Sequence, residues 1–231
     1  MTKRYILYLE PGVENPISTK LSSFMKESKS IGTNEAQQYH PHCSVTGFFI
    51  VDDDSCSAVI SRLYSKVDEG IRIGSFSIEF GEIQAVPSKT EMNSAQSVQL
   101  GLITNGFKEL AEYLRVSIKE FGIDIRPKEV DHISLAYVSN YPPAKKGPLD
   151  DISMRFYRDV ENTSAETVEY NYANYLLAAK KHFGSFLPNS NIWKLVLYEE
   201  KHSYEMHVPH QFTLLREWDM SMVLRKTYPD R

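Results

Sequence analysis

Two short segments with the same pattern constrain this chain more than any other feature of its sequence. His42-Cys43-Ser44-Val45 and His132-Ile133-Ser134-Leu135 each have the pattern histidine, any residue, serine, apolar residue. Each lies in a run typical of a buried strand, at 43–51 and 133–138. Because side chains alternate between the two faces of a strand, each histidine shares a face with the serine two positions later. If the two strands lie side by side, two imidazoles and two hydroxyls face one cleft.

These side chains suit the hydrolysis of a phosphodiester without a metal. One imidazole takes a proton from water and the other gives a proton to the leaving oxygen, while serine hydroxyls can hydrogen-bond a phosphate oxygen. A serine hydrolase is the competing interpretation, but the sequence has no Gly-x-Ser-x-Gly elbow. We therefore interpret His42 and His132 as catalytic and Ser44 and Ser134 as phosphate-binding, and we expect no metal and no organic cofactor.

The duplicated tetrad resembles the signature of the two-histidine (2H) phosphoesterase superfamily. The tail adds a second likeness, since 193–199 and 212–218 look like the closing strand pair of its RNA-ligase-like and cyclic-phosphodiesterase branch. The resemblance implies a two-lobed architecture with the tetrads on central strands. It also implies, as substrate, the 2′,3′-cyclic phosphate of a nucleotide or of an RNA end. For a linear RNA end the same pair could instead activate a 2′-hydroxyl, because the superfamily contains both kinds of reaction.

Apolar periodicity predicts an α+β fold. Strands are expected at 4–10, 39–51, 76–86, 131–138, 191–200 and 211–218, and helices at 17–27, 59–67, 100–121 and 172–183. We interpret 1–231 as a single domain of two similar lobes, roughly 1–92 and 93–231, with antiparallel sheets facing each other across a central cleft and helices outside. The segment 139–168 is rich in proline and charge, and we expect a functional loop, a lid or a disordered insertion there.

The composition of the chain limits which partners and which cellular compartment we expect. The net charge is −4, which argues against an extended nucleic-acid surface and leaves a small nucleotide or an RNA end as the substrate. The chain has two cysteines, too few for a disulfide framework, and Cys43 is expected to face away from His42 into the core. The sequence shows no convincing signal peptide and no membrane span. We expect a cytoplasmic monomer, with the nucleus as the alternative location.

Other polar residues leave alternatives open. His40 and Thr46 are expected on the face of His42, either in the cleft or as structural residues. The acidic run 52–54 is interpreted as a turn and helix cap, and the group His202, His207 and His210 as a loop without a metal. The doubled lysines at 145–146 and 180–181 are interpreted as surface, although the first pair would meet a phosphate if 139–168 covers the cleft. Two other functions remain open: a nucleotide or phospho-ligand binding module without turnover, and an RNA 3′-end exonuclease of the same superfamily.

Overall fold

The fold is α+β, with two antiparallel sheets and helices packed against them. A computed structural model of the chain describes residues 2–32, 34–87, 96–137, 165–184, 190–201 and 211–224, and the statements below concern these residues. Within these ranges, no helix combines the length and the apolar character that crossing a bilayer requires.

The elements follow one another along the chain as strands with interspersed helices. The strands are β1 (Thr2–Pro11), β2 (Cys43–Ser44), β3 (Phe49–Asp52), β4 (Ser77–Pro87), β5 (Gln96–Asn105), β6 (His132–Tyr137), β7 (Trp193–Lys201) and β8 (Gln211–Asp219). The α-helices are α1 (Pro16–Glu27), α2 (Cys56–Ile73), α3 (Phe107–Ser117), α4 (Ala165–Phe183) and α5 (Ser221–Leu224). Short 3₁₀ turns occupy Ser28–Ser30, Glu35–Gln38 and Lys119–Phe121.

The two sheets draw strands from distant parts of the chain. The first sheet has the order β2-β1-β7-β8, and β3 also pairs with β1; the second sheet has the order β4-β5-β6. Thus β7 and β8, from the second half of the sequence, join β1, while β4, from the first half, joins β5 and β6. Each sheet therefore combines strands from both sides of residue 92.

The first helix illustrates how the sequence specifies its elements. Asn15 caps α1, because its side chain accepts a hydrogen bond from the Ile17 amide at 3.1 Å. Pro16 follows at the first helical position, where its missing amide proton costs nothing. The apolar residues that predict the helix are also the ones it buries, including Leu21 and Phe24. The predictions for β1, α1, β7 and β8 are confirmed within two residues at their ends, and the helix predicted at 59–67 is present but extends over Cys56–Ile73.

The predicted strand at 39–51 is wrong as one continuous element. The structure has β2 and β3 instead, both paired with β1 but separated along it. At the break, the amides of Val45 and Thr46 both donate to the carbonyl oxygen of Leu7, at 3.0 and 3.3 Å. Two residues, Val45 and Thr46, therefore lie opposite the single residue Leu7 of β1, which is the arrangement of a β-bulge. The Thr46 hydroxyl then accepts the Leu7 amide at 3.1 Å, so this side chain replaces a ladder bond. Thr46 is fully buried, which agrees with a packed, structural hydroxyl.

The predicted helix at 100–121 is also wrong over its first part. Residues up to Asn105 belong to β5, and the helix α3 begins at Phe107. Val98, Leu100 and Leu102 are buried at alternate positions, which is the period of a strand, but leucine and isoleucine are common in both structures. The change of direction takes place at Gly106, whose φ of 82° is accessible to glycine at little cost.

Two further predictions need correction. The helix α4 begins at Ala165, so the last residues of the segment 139–168 are helical, and 139–164 lie outside the described residues. The strands that carry the tetrads are not central: β2 and β6 each end the strand order of their sheet in the part of the chain described. An edge position is physically reasonable here, because an edge is where a strand of one sheet can approach a strand of the other.

Candidate active site

The two tetrads meet because a segment preceding β6 pairs with the bulge that follows β2. The Gly47 amide donates to the Arg126 carbonyl oxygen at 2.7 Å, and the Lys128 amide donates to the Val45 carbonyl oxygen at 3.0 Å. A Cβ at position 47 would lie 3.0 Å from Arg126 Nε, so the absence of a side chain permits this close approach. The backbone of His132 also hydrogen-bonds the Cys43 thiol. The motif strands are therefore neighbours without sharing a sheet.

The alternation expected within each tetrad is present. Cys43, Val45, Ile133 and Leu135 are at most 2% exposed and belong to the core. The histidine and serine of each tetrad keep part of their surface accessible. Cys43 is thus a core residue, as predicted, and burial raises the pKa of its thiol to about 12. The thiol is therefore a poor nucleophile at neutral pH.

His42 is held in one tautomer and shielded from water. Its Nδ1 lies 2.6 Å from the His40 carbonyl oxygen, which can only accept a hydrogen bond, so Nδ1 carries the proton. The Tyr8 ring stacks on the imidazole with centroids 3.7 Å apart and planes inclined by 22°. Tyr39 approaches edge-on at 6.0 Å. Although part of the residue remains accessible, burial of the ring lowers the pKa of His42 to about 4, and the neighbouring His132 contributes to this shift. The neutral ring therefore has an unprotonated Nε2.

His132 has a different partner. Its Nδ1 lies 2.6 Å from Oδ1 of Asp131, and the two side chains are 37% and 60% exposed. The Asp131 carbonyl oxygen accepts the Leu102 amide at 2.7 Å, which ties this residue to β5. Immediately before it, Val130 has a φ of 56°, a strained conformation for a β-branched residue. The Thr104 hydroxyl donates to the Val130 carbonyl oxygen at 2.7 Å and holds this turn.

The two serines lie on the strands that carry the histidines. Ser44 is opposite Tyr8 in the pairing of β2 with β1, and Ser134 is opposite Gln99 in the pairing of β6 with β5. Both residues are half-buried. Each hydroxyl is two positions beyond its histidine on the same face, so it lies about 7 Å further along the strand. This spacing suits a phosphate contacted by imidazole and hydroxyl from two sides.

The remaining candidates separate into described and undescribed residues. His40 is exposed and contributes its carbonyl oxygen to His42. Lys180 and Lys181 are exposed on α4, as predicted. Residues 53–55 form a turn before α2, in agreement with the interpretation of the acidic run, although Ser55 makes no side-chain capping bond. The histidines at 202, 207 and 210 and the lysines at 145–146 lie outside the described residues. Within the described ranges, no group of three or more His, Cys, Asp or Glu residues could hold a metal ion.

Sequence reasoning missed Tyr8 and Asp131, which determine the environment of the two histidines. Asp131 immediately precedes His132, and a carboxylate beside a strand histidine is a local signal from which this contact could be predicted. Tyr8 gave no such signal, because its contact with His42 joins positions 34 apart in sequence. Phe212 comes from β8, and its ring centroid lies within 6.3 Å of those of Tyr8 and Tyr39. Local sequence patterns could not predict these contacts either.

Comparison with known proteins finds partial similarity to longer proteins. No family model matches the chain. The chain is similar to ubiquitin-associated and SH3 domain-containing protein B from Mus musculus and from Homo sapiens, with 25% identity over 193 residues in both cases. The alignment covers 74% of this chain but 28% and 27% of those proteins. The chain therefore spans about a quarter of the length of the curated relatives it matches.

Proposed function

We propose that this protein is a metal-independent phosphodiesterase that opens the 2′,3′-cyclic phosphate of a nucleotide or of an RNA end. One observation carries the proposal: two His-x-Ser tetrads, far apart in sequence, lie on neighbouring strands with both imidazoles anchored through Nδ1. Neither Nε2 has a hydrogen-bond partner among the described residues. Two such nitrogens are what general acid and base catalysis of phosphodiester hydrolysis needs. The proposal includes the two sheets as lobes that face each other across the substrate cleft, as in the 2H phosphoesterase superfamily.

The unequal surroundings of the histidines support an assignment of roles. His42 donates through Nδ1 to a neutral carbonyl group, stacks on Tyr8 and has a depressed pKa, so its Nε2 is available as a base at neutral pH. His132 has a carboxylate at Nδ1, a partner that suits a ring carrying a positive charge. We therefore assign His42 as the general base and His132 as the general acid, with Asp131 as the residue that positions it.

The reaction then balances without a cofactor. Nε2 of His42 removes a proton from water as the water oxygen attacks phosphorus. The bond between phosphorus and one ribose oxygen breaks, and Nε2 of His132 protonates that oxygen. The product is a nucleoside monophosphate or an RNA end with a phosphomonoester. The hydroxyls of Ser44 and Ser134 donate to the non-bridging oxygens, whose charge they stabilise in a partly dry site.

Turnover of 2′,3′-cyclic nucleotides by the purified full chain, measured in excess chelator, tests the proposal. We expect release of a monophosphate that depends on both histidines. The matched comparison is the variant His42→Ala/His132→Ala, which should bind a nucleoside monophosphate and release no product. His182→Ala is a suitable control, because this histidine lies on α4 and its Nε2 contacts the Lys20 carbonyl oxygen instead of the site.

Two outcomes would replace the proposal with an alternative. Binding of nucleoside monophosphates by the wild-type protein without any turnover would identify a binding module. Stepwise release of nucleotides from a linear RNA 3′ end, with cyclic nucleotides left intact, would identify the exonuclease reaction.

A further inference from the structure

A pocket of about 660 Å³ lies beside His42. Tyr8 and Glu10 are two positions apart on β1 and so share a face, and Tyr8 stacks on His42. His40 and Pro41, which immediately precede His42, form part of the pocket wall. The other walls come from the outward side of α1 and from β7. The pocket is therefore adjacent to the reacting groups but distinct from them.

Glu10 is the unusual residue of this pocket. It is 7% exposed, and its Oε1 has no hydrogen-bond partner among the residues described. The Tyr198 hydroxyl donates to the same carboxylate, and burial raises the pKa of Glu10. The ammonium group of the neighbouring Lys194 lies 2.9 Å from a carboxylate oxygen of Glu217 and forms an ion pair with it. A buried carboxylate oxygen without a donor is costly, and Glu10 lines the pocket. We therefore infer a ligand in the pocket that supplies the missing donor.

The rest of the pocket indicates what kind of ligand carries that donor. Pro11, Val13 and Pro41 supply apolar surface, and Val13 is 87% exposed. The volume falls within the range of pockets that enclose small organic ligands. A flat, largely apolar group with a hydrogen-bond donor on its edge fits these walls and the carboxylate together.

We propose that this pocket is the subsite for a nucleobase that bears an amino group, with Glu10 as its recognition residue. The inference rests on the proposed function, since the base belongs to the nucleotide whose phosphate lies at His42 and His132. A carboxylate only accepts hydrogen bonds, so it selects the amino groups of guanine, adenine and cytosine and repels the carbonyl oxygens of uracil. Guanine should bind best, because its N1–H and amino group are adjacent donors for the two carboxylate oxygens.

Exchange of the carboxylate for an amide tests the selectivity directly. We expect wild-type kcat/KM for guanosine 2′,3′-cyclic phosphate to exceed that for the uridine compound by at least about tenfold, the size expected for one hydrogen bond to a charged group. Glu10→Gln should remove most of this ratio, because an amide can also donate to uracil. The matched control is Glu82→Gln, which makes the same exchange at an exposed glutamate of β4 that does not line the pocket; its ratio should stay at the wild-type value.

A second variant tests the same pocket without changing Glu10, so the inference can be tested even if Glu10→Gln does not fold. Ser22→Trp fills the pocket from an exposed position on α1, and Ser57→Trp places the same side chain on an exposed position of α2. Calorimetric titration with guanosine 3′-monophosphate should show at least about tenfold weaker binding for Ser22→Trp alone. Equal affinity of the wild-type protein for guanosine and uridine 3′-monophosphates would overturn the inference while leaving the phosphodiesterase proposal intact. Guanosine-selective binding that depends on Glu10, without turnover of any cyclic nucleotide, would support the subsite and overturn the enzyme proposal.

Discussion

Tyr8 and His42 stack with ring centroids 3.7 Å apart, although one residue lies on β1 and the other precedes β2. The contact covers one face of the imidazole, while the His40 carbonyl oxygen fixes its Nδ1 proton. Loss of water around the ring is the main reason for the depressed pKa of His42. The protein therefore holds one histidine neutral and partly shielded from water, next to a second histidine that is paired with a carboxylate.

Removal of either imidazole should abolish most turnover while the protein stays folded. We expect His42→Ala and His132→Ala each to lower kcat by about 10²–10⁴-fold, the usual contribution of a positioned acid or base. The two residues act in one step, so the double variant should lose less than the product of the two single effects. Steady-state kinetics with circular dichroism as the folding control measures this. Near-normal kcat in either single variant would contradict the assignment.

The hydroxyls should matter less than the imidazoles. Ser44→Ala and Ser134→Ala each remove a donor to a charged phosphate, a loss of about 1.5–3 kcal/mol, or roughly 10- to 150-fold in kcat/KM. Ser→Thr at either position should retain more activity than Ser→Ala, because the donor survives. If Ser44→Ala were as inactive as His42→Ala, a serine nucleophile would replace the proposed role of phosphate binding.

Asp131 should act through His132 and not on the substrate. We expect Asp131→Asn to lower kcat by about 10–100-fold with little change in KM, the effect typical of losing the group that orients a histidine. Asp124→Asn is the matched control, since Asp124 is an exposed aspartate shortly before it in the chain. A change confined to KM, or an equal loss in both variants, would show that the contact between Asp131 and His132 has no positioning role.

The pH dependence of kcat/KM should have an unusually low acid limb. The pKa of His42 is lowered to about 4 from an ordinary 6.5, so the ring stays unprotonated and competent as a base until the pH approaches that value. We therefore expect activity to fall below about pH 4–5, where His42 gains a proton and can no longer act as the base. Tyr8→Leu should move the acid limb upward, because the less crowded ring regains water. An acid limb near pH 6.5 in the wild-type protein would contradict this environment for His42.

Chelation should leave the rate unchanged. The proposed mechanism takes both proton transfers from imidazoles and the charge stabilisation from hydroxyls, so it assigns no step to a metal. Turnover measured with and without excess EDTA, after dialysis against chelator, should agree within error. Activity lost in chelator and restored by zinc or magnesium would show that the mechanism is wrong for this protein.

Local patterns in the sequence were sufficient for much of the secondary structure and for the alternation of buried and accessible side chains within each tetrad. The alternation of Cys43 and Val45 with His42 and Ser44 follows from the two-residue period of an extended chain, which depends on neighbouring residues only. The same holds for α1, whose cap and apolar spacing are both contained in 15–27. This approach failed for the last residues of β5, at 100–105, because a short run of leucine and isoleucine is compatible with both a strand and a helix.

The tertiary structure alone decided how the tetrads meet and how their histidines differ. The bulge at Val45 and Thr46, and the pairing of residues 45–47 with 126–128, join segments about 80 positions apart, and no local period encodes such a contact. The stacking of Tyr8 on His42 is equally a product of the pairing of β1 with β2. Two tetrads of the same pattern therefore acquire unequal environments, because the environment of an imidazole depends on the burial and charge around it and not on the pattern of its tetrad.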